Sequence, residues 1–235
     1  MTAATPPPTP ALRGWAAAGV LLGVGWLVVG AAIGFVVGFG VPSPAELLID
    51  VHDARALWVA AMGLQTGQQL LLVPFGLALV VRLAPIDGLQ IGAVGALALS
   101  AVFFGVSGIV HGVFGVHQAV DTSEIDALTA SQIDLATVTH AIADTSYFAG
   151  IIATAIATWL LCRRMAMDGA ETRHLVGLGH AAVVCHALQF GWFFVPAMGG
   201  FGAAGGLLQG LWFIVVARWV GRTAPGIRGT VVSGL

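Results

Sequence analysis

The stretch VTHAIADTSYFAGIIATAIATWLLC, residues 138–162, combines a long apolar run with two ionisable side chains near its start. His140 and Asp144 are one helical turn apart, because side chains four positions apart share one face of a helix. The apolar sequence continues far enough to cross a bilayer, which takes about 20 helical residues. The stretch therefore predicts a transmembrane helix that carries an imidazole and a carboxylate on one face.

The composition of the whole chain is that of a polytopic membrane protein. Of its 235 residues, 58% are hydrophobic and only 9% are charged. The mean hydropathy is +0.95, which is outside the range of soluble globular proteins. A net charge of −2 and the absence of a basic cluster argue against nucleic acid as a partner. No lysine occurs, so a retinal Schiff base is excluded, and the lipid bilayer is the partner that the composition predicts.

Six apolar runs are long enough to cross the bilayer as helices. They lie at residues 15–39, 56–83, 89–113, 136–162, 175–195 and 201–220. The predicted fold is therefore all-α, a polytopic membrane protein built as a bundle of six transmembrane helices. We expect a disordered leader at residues 1–12, the transmembrane domain at residues 13–222 and a C-terminal tail at residues 223–235.

The arginines predict the orientation of the bundle, because cytoplasmic loops carry an excess of basic residues. In a six-helix topology Arg55 falls on one side of the membrane, and every other arginine falls on the opposite side. We therefore predict that both termini are cytoplasmic and that the protein lies in a bacterial-type inner membrane.

Polar side chains recur at one depth of the predicted bundle. At a rise of about 1.5 Å per residue, five helices place a polar group about 8 to 15 Å below the outer surface, and the first helix places none. This polar layer consists of Gln65, His111, Asp144, His186, Gln189 and Gln209. An ionisable residue within a span costs about 2.5 to 3.5 kcal/mol and is usually paired or functional. Asp144 therefore needs a partner, and His140 and then His111 are the nearest candidates.

The histidines near Asp144 predict an outward-facing site for a metal ion, haem or a small polar ligand. Histidine is the commonest metal ligand, and a neighbouring carboxylate fixes its tautomer. Three histidines with an open position are typical of catalytic zinc, whereas two opposed histidines hold a low-spin haem. The predicted metal ligands are His111, His140, Asp144 and His186. The predicted cofactor-binding residues around them are Gln65, Ser107, Tyr147, Gln189, Trp192 and Gln209.

A membrane-embedded metal-dependent hydrolase that uses the same residues is a second interpretation. Ser107 and His111 read Ser-x-x-x-His, and His140 and Asp144 read His-x-x-x-Asp. This pattern resembles part of that of the seven-helix membrane zinc hydrolases related to alkaline ceramidases, which implies a zinc-activated water. That family also carries a His-x-x-x-His pair on its last helix, and the last helix here has no histidine. GVSG, residues 105–108, resembles the rhomboid nucleophile motif but lies on a different helix from that of the rhomboids.

A proton-coupled carrier or sensor is a third interpretation. Histidine with aspartate inside a bundle can relay protons, and apart from Arg55 the charged residues of the outer loops are acidic, which would attract cations. Ser123 and Asp126 fit a helix capping box, so we expect a short surface helix reaching Ile133 that covers the site. Trp58 lies near the end of a span, where interface anchors occur.

Overall fold

The computed structural model describes residues 10–38, 43–117, 128–167, 169–195, 198 and 200–222. The predicted tail and most of the predicted leader lie outside these ranges. Within them the chain contains helices and no strand, which confirms the all-α prediction. The α-helices are α1 (Pro10–Val37), α2 (Pro44–Asp53), α3 (Arg55–Gln68), α4 (Leu72–Arg82), α5 (Gly88–His117), α6 (Ala130–Ala166), α7 (Arg173–Gln189) and α8 (Gly200–Arg222).

Among the described residues, five helical segments are long and apolar enough to span a membrane, and they indicate an integral membrane protein. These segments are Pro10–Val37, Arg55–Arg82, Gly88–Phe114, Ala130–Ala166 and Gly200–Arg222. Each of them coincides with one of the apolar runs of the sequence. The remaining run corresponds to α7, which has 17 residues and continues directly into a 3-10 helix at Phe190–Phe193.

The second span is built from α3 and α4, which are joined by a 3-10 turn at Gln69–Leu71. Pro74, in the first turn of α4, has no N–H, and its ring crowds the carbonyl of Leu70 four residues earlier. The α-helical hydrogen-bond pattern is therefore interrupted one turn before the proline. At the interruption the side-chain amide of Gln69 donates to the carbonyl oxygen of Gln65 at 2.9 Å.

Glycines let α1 and α8 pack with their backbones in contact. A Cβ on Gly210 would lie 2.9 Å from the Leu27 side chain and 3.1 Å from the carbonyl oxygen of Gly23. Small residues of this kind allow close approach of membrane helices. The contact places the first span beside the last one and closes the bundle.

Arg164 ties α6 to the turn between α4 and α5. Its guanidinium is buried, donates to the carbonyl oxygen of Leu83 and lies 3.2 Å from Asp87 Oδ2 through Nε. Asp87 also caps α5, because its Oδ1 accepts from the N–H of Gln90 at 3.1 Å. A charge pair between a buried arginine and a partly exposed aspartate thus fixes this end of the bundle.

The opposite end is covered by α2, a short helix that was not predicted from the sequence. It begins with a capping box, in which Ser43 Oγ accepts from the N–H of Glu46 at 3.2 Å and Glu46 Oε2 accepts from the N–H of Ser43 at 2.7 Å. Its apolar residues Leu47, Leu48 and Val51 are buried in one cluster with residues of α3, α5 and α6. This packing holds α2 across the ends of three spans.

A surface helix was predicted from Ser123 to Ile133, and its residues up to 127 lie outside the described part of the chain. For residues 130–133 the prediction is wrong, because these residues form the start of the long helix α6. That helix begins at Ala130, and the N-cap Thr129 accepts from the N–H of Gln132 at 3.3 Å through Oγ1. Among the described segments, it is α2 that covers this end of the bundle.

Candidate functional site

His111, His140 and Asp144 meet between α5 and α6. Asp144 Oδ2 lies 3.1 Å from His140 Nε2, and Asp144 Oδ1 lies 3.8 Å from His111 Nε2. The centroids of the two imidazoles are 5.7 Å apart. Each residue offers one ligand atom, and the three atoms lie within 4.8 Å of one another. The predicted cluster of two histidines with Asp144 is therefore present.

The register between α5 and α6 brings the cluster together. Facing residues of two antiparallel helices have residue numbers with a nearly constant sum. Ser100 Oγ and Thr154 Oγ1 are hydrogen-bonded at 2.6 Å in the buried interface, and this contact fixes the register. The same register places His111 opposite Asp144, while the helical repeat places His140 one turn away on the same face of α6.

The cluster lies near the end of the bundle opposite Arg164. Asp144 is about 30 Å from Arg164 along α6, which is close to the thickness of the hydrocarbon core of a bilayer. Trp58, in the first turn of α3, donates Nε1–H to the carbonyl oxygen of His111 at 2.9 Å. The cluster is therefore level with the start of α3, near one end of the bundle.

Trp58 supports the site and was missed as a site residue in the sequence. It is 3% exposed, and its indole packs edge-on against the His111 ring with a centroid separation of 5.6 Å. The prediction that it anchors the helix in the lipid interface does not fit this burial. The sequence could not predict the contact between Trp58 and His111, because the two residues lie on different helices.

Asp144 has only the two histidines as ion-pair partners among the described residues. The side chains of His111 and His140 are 11% and 15% exposed, and that of Asp144 is 33% exposed. In the part of the chain that the structure describes, His111 Nε2 and His140 Nδ1 are buried without a hydrogen-bond partner. A largely buried carboxylate needs a cation or a proton to balance it, and the imidazole nitrogens can help to bind either one.

The spacing of these atoms suits a single transition-metal ion. Zinc binds imidazole nitrogen at about 2.0 to 2.1 Å, so two ligands of a tetrahedral zinc ion lie about 3.3 Å apart. The observed separations of 3.1 Å and 3.8 Å run to different oxygens of Asp144, and one ligand atom from each residue lies within 4.8 Å of the others. Small side-chain movements would therefore draw the three ligands onto one ion. Two imidazoles and a carboxylate also leave a fourth position open for water or a substrate. A haem fits less well, because the carboxylate lies between the two imidazoles where the macrocycle would have to pass.

The structure does not bring His186 into this group of ligand atoms. His186 is fully buried and packs against α8, where a Cβ on Gly205 would lie 2.7 Å from His186 Nδ1. Its imidazole lies within hydrogen-bonding reach of the Gln189 side chain, one turn later on the chain. The sequence placed His186 at a similar depth to His111, but α7 packs on α6 and α8, so the two imidazoles lie at different helix interfaces.

A cavity of about 570 Å³ lies between α1, the second span, α5, α6, α7 and α8. None of the three cluster residues lines it, and Tyr147, three residues after Asp144 on α6, is the lining residue nearest to them in sequence. Three of the predicted cofactor-binding residues, Gln65, Tyr147 and Gln189, line it. No residue of the first helix was predicted to belong to the site. In the structure α1 forms one wall of the cavity, with Trp26 and a row of small residues that includes Gly30.

The other predicted cofactor-binding residues do not line the cavity or have side chains outside the described residues. Ser107 is fully buried, and its hydroxyl has no hydrogen-bond partner in the described part of the chain. Gln209 is also fully buried, and its Nε2 donates to Thr158 Oγ1 at 3.1 Å, which ties α8 to α6. The side chain of Trp192 lies outside the described residues. The predicted polar layer therefore separates into a His/Asp cluster, a lined cavity and a helix-to-helix hydrogen bond.

Two cavity residues, Gln68 and Gln69, were missed in the sequence. Together with Gln65 they stand at positions i, i+3 and i+4 of the second span, which share one face of a helix. All three side chains are buried. Their spacing was the signal that could have identified them.

Comparisons with protein-family models, with curated proteins and with solved structures find no match for this chain. The partial patterns that resemble membrane zinc hydrolases and rhomboids are thus not accompanied by a family match. The geometry and chemistry of the site are therefore the observations that bear on function.

Proposed function

We propose that the chain is a six-helix membrane protein that binds a divalent transition-metal ion, zinc in the first place, through His111, His140 and Asp144. The observation that supports this most strongly is the spacing of the three ligand atoms, all within 4.8 Å of one another. A divalent cation also supplies the charge that the Asp144 carboxylate lacks among its described neighbours. The proposed ligand set leaves His186 out.

Six spans with cytoplasmic termini account best for the arrangement of the helices and arginines. Counted together, α7 and the 3-10 turn that follows extend about 30 Å, enough to cross the hydrocarbon core. With α7 as a span, Arg82, Arg164 and Arg222 end three helices on one side, and Arg55 begins α3 on the other. By the positive-inside rule the cluster then faces the extracytoplasmic side of a bacterial-type inner membrane.

The chain's own residues have distinct roles in this proposal. The two neutral imidazoles provide lone pairs, and Asp144 provides the negative charge that reduces the cost of placing a divalent ion at the rim of the apolar layer. Trp58 holds the backbone of His111 through the 2.9 Å hydrogen bond to its carbonyl oxygen. Metal binding should weaken in acid, because the ligands must be deprotonated to bind.

A membrane-embedded metal-dependent hydrolase is the second candidate. A bound zinc ion would supply an activated water at its open coordination position. The observation that favours this function is the cavity of about 570 Å³ in the same bundle, which is large enough for a small-molecule substrate. Tyr147 lines this cavity one turn after Asp144.

Metal analysis with a visible spectrum of the protein purified without chelators distinguishes these functions. We expect about one zinc ion per chain and no haem absorption band. His111→Ala and His140→Ala should lose the metal. His180→Gln, which changes an exposed histidine of α7, should retain it and serves as the control.

Two results would contradict the proposal. A strong visible band would indicate haem. No metal after incubation with zinc would leave a proton-coupled carrier or sensor, in which histidine and aspartate exchange protons. Zinc in the protein together with hydrolysis of an ester or amide substrate would support the hydrolase.

A further inference from the structure

The cavity lined by Gln65 and Tyr147 has a chemistry that differs from that of the His/Asp cluster. None of the described residues that line it is charged. Its polar lining includes four side-chain amides, those of Gln65, Gln68, Gln69 and Gln189. Its aromatic lining consists of Trp26, Phe104, Tyr147 and Phe148. Such a lining can orient an uncharged molecule by hydrogen bonds but offers nothing to balance an ion.

The amides around the cavity are buried but incompletely paired. The side chains of Gln65, Gln68, Gln69 and Gln189 belong to residues that are no more than 8% exposed. Within the described ranges Gln65 Nε2 and the Oε1 atoms of Gln68 and Gln69 are buried without a hydrogen-bond partner. These atoms have almost no accessible surface, so a molecule in the cavity would meet the other ends of the amides, such as Gln65 Oε1 and Gln68 Nε2.

Glycines of the neighbouring helices hold two of these amides in place. A Cβ on Gly202 would lie 2.8 Å from Gln189 Nε2, and a Cβ on Gly25 would collide with Gln68 Oε1. The backbones of α8 and α1 thus pack directly on the amide groups. The glutamines are positioned by their surroundings and do not reach freely into solvent.

The aromatic rings form a continuous wall. Trp26 and Phe104 pack edge-to-face with centroids 5.1 Å apart, and Phe104 and Tyr147 do so at 5.5 Å. Such a wall offers ring faces and edges to a flat apolar molecule. A cavity lined by both amides and aromatic rings is suited to bind a ring that carries polar substituents.

We propose that this cavity binds the head group of a lipophilic quinone or quinol. The ring would pack on the aromatic wall, while amide N–H groups donate to its carbonyls and amide oxygens accept from its hydroxyls. The volume of about 570 Å³ is within the range of about 300 to 1,000 Å³ that is usual for small-molecule sites. This site is additional to the proposed metal site.

Equilibrium binding of decylubiquinone to the purified protein, in both its quinone and quinol forms, tests the proposal. Quenching of tryptophan fluorescence reports occupancy, because Trp26 lies in the cavity wall. We expect saturable binding, displaced by the other redox form but not by n-decanol, which has the chain and lacks the ring. Gln68→Leu should weaken binding about three- to tenfold through the loss of a hydrogen bond.

Gly30→Leu is the decisive variant. Gly30 lines the cavity, and a Cβ there would have nothing within 4 Å, so a larger side chain can fill the space without a clash at its base. We expect it to lower the affinity more than about tenfold. Gly14→Leu, on the same helix and also with open space at its Cβ, should bind as the wild type does.

Three results would overturn the proposal. They are binding to the wild type that does not saturate, displacement by n-decanol equal to that by the other redox form, and quinone binding by Gly30→Leu that is the same as in the wild type. The zinc content of the same samples keeps the two proposals apart. Gly30→Leu should retain zinc, and His140→Ala should lose zinc while still binding the quinone.

Discussion

Replacing Asp144 with asparagine should weaken zinc binding about a hundredfold and leave the fold intact. Asparagine keeps the shape of the side chain and one oxygen, so packing between α5 and α6 is preserved. It removes the negative charge that lies 3.1 Å and 3.8 Å from the two imidazole nitrogens. The change therefore isolates the contribution of the charge to binding.

The expected magnitude follows from these distances. An ion held by the three residues lies within about 4 Å of the carboxylate, where a divalent ion and a unit negative charge interact by about 8 kcal/mol at an effective dielectric constant of 20. That energy sets an upper limit of about a millionfold in affinity. The retained amide oxygen and the partial exposure of the side chain, which is 33% accessible, reduce the loss to about a hundredfold.

Titration against a competing chromogenic zinc chelator measures the affinity, and thermal unfolding of the same detergent-solubilised sample verifies the fold. Asp134→Asn is the matched control, because Asp134 is an exposed carboxylate near the start of α6. Zinc affinity that is equal in Asp144→Asn and in the wild type would refute the reasoning. Asp144 would then be a hydrogen-bonding residue of the bundle and not a metal ligand.

Three further predictions concern the fold. Arg164→Ala should lower the free energy of unfolding by about 1.5 to 3 kcal/mol in denaturant titrations, because it removes charge-assisted hydrogen bonds, whereas exposed Arg163→Ala should change it by less than about 0.5 kcal/mol. Gly179→Ala should cost about 1 to 3 kcal/mol in the same assay, since its Cβ would lie 2.6 Å from a buried tryptophan nitrogen of α8. The backbone N–H and hydroxyl of Ser43 hold the pKa of Glu46 below its usual value, so the cap of α2 is complete above that value and is lost as the pH falls through the lowered pKa. Amide hydrogen exchange in α2 should accelerate over that acidic range.

The apolar runs of the sequence predict where helices lie, because burial in lipid requires continuous hydrophobicity. They do not predict where helices end. The run at residues 136–162 became the helix Ala130–Ala166, since the capping box at Thr129 extends α6 beyond the apolar layer. Hydropathy indicates the part of a helix that is suited to lipid, and capping residues determine where the helix begins.

The helix α2 was missed because a search for long apolar runs ignores short amphipathic segments. Its start was nevertheless encoded, since Ser43 and Glu46 have the spacing of a capping box and Pro44 suits the first turn of a helix. Its role could not be read from the sequence, because it depends on a cluster formed with three other helices.

Depth and helical face were enough to predict the cluster of His111, His140 and Asp144, because α5 and α6 are consecutive spans joined as an antiparallel pair. The same reasoning could not place His186, since depth does not determine which helices are neighbours across a bundle. It also left α1 out of the cavity. Gly30 contributes through the side chain that it lacks, and a search for polar groups cannot detect such a contribution.

The most direct measurement for the proposed metal site is zinc K-edge X-ray absorption of the zinc-loaded protein. Zinc bound by two imidazoles and a carboxylate should show only nitrogen and oxygen ligands at about 2.0 to 2.2 Å, with the outer-shell scattering of two imidazoles. The imidazole scattering should decrease or disappear with the metal in His140→Ala. Sulfur ligands, or a spectrum without imidazole scattering, would place zinc elsewhere and contradict a site made by His111, His140 and Asp144.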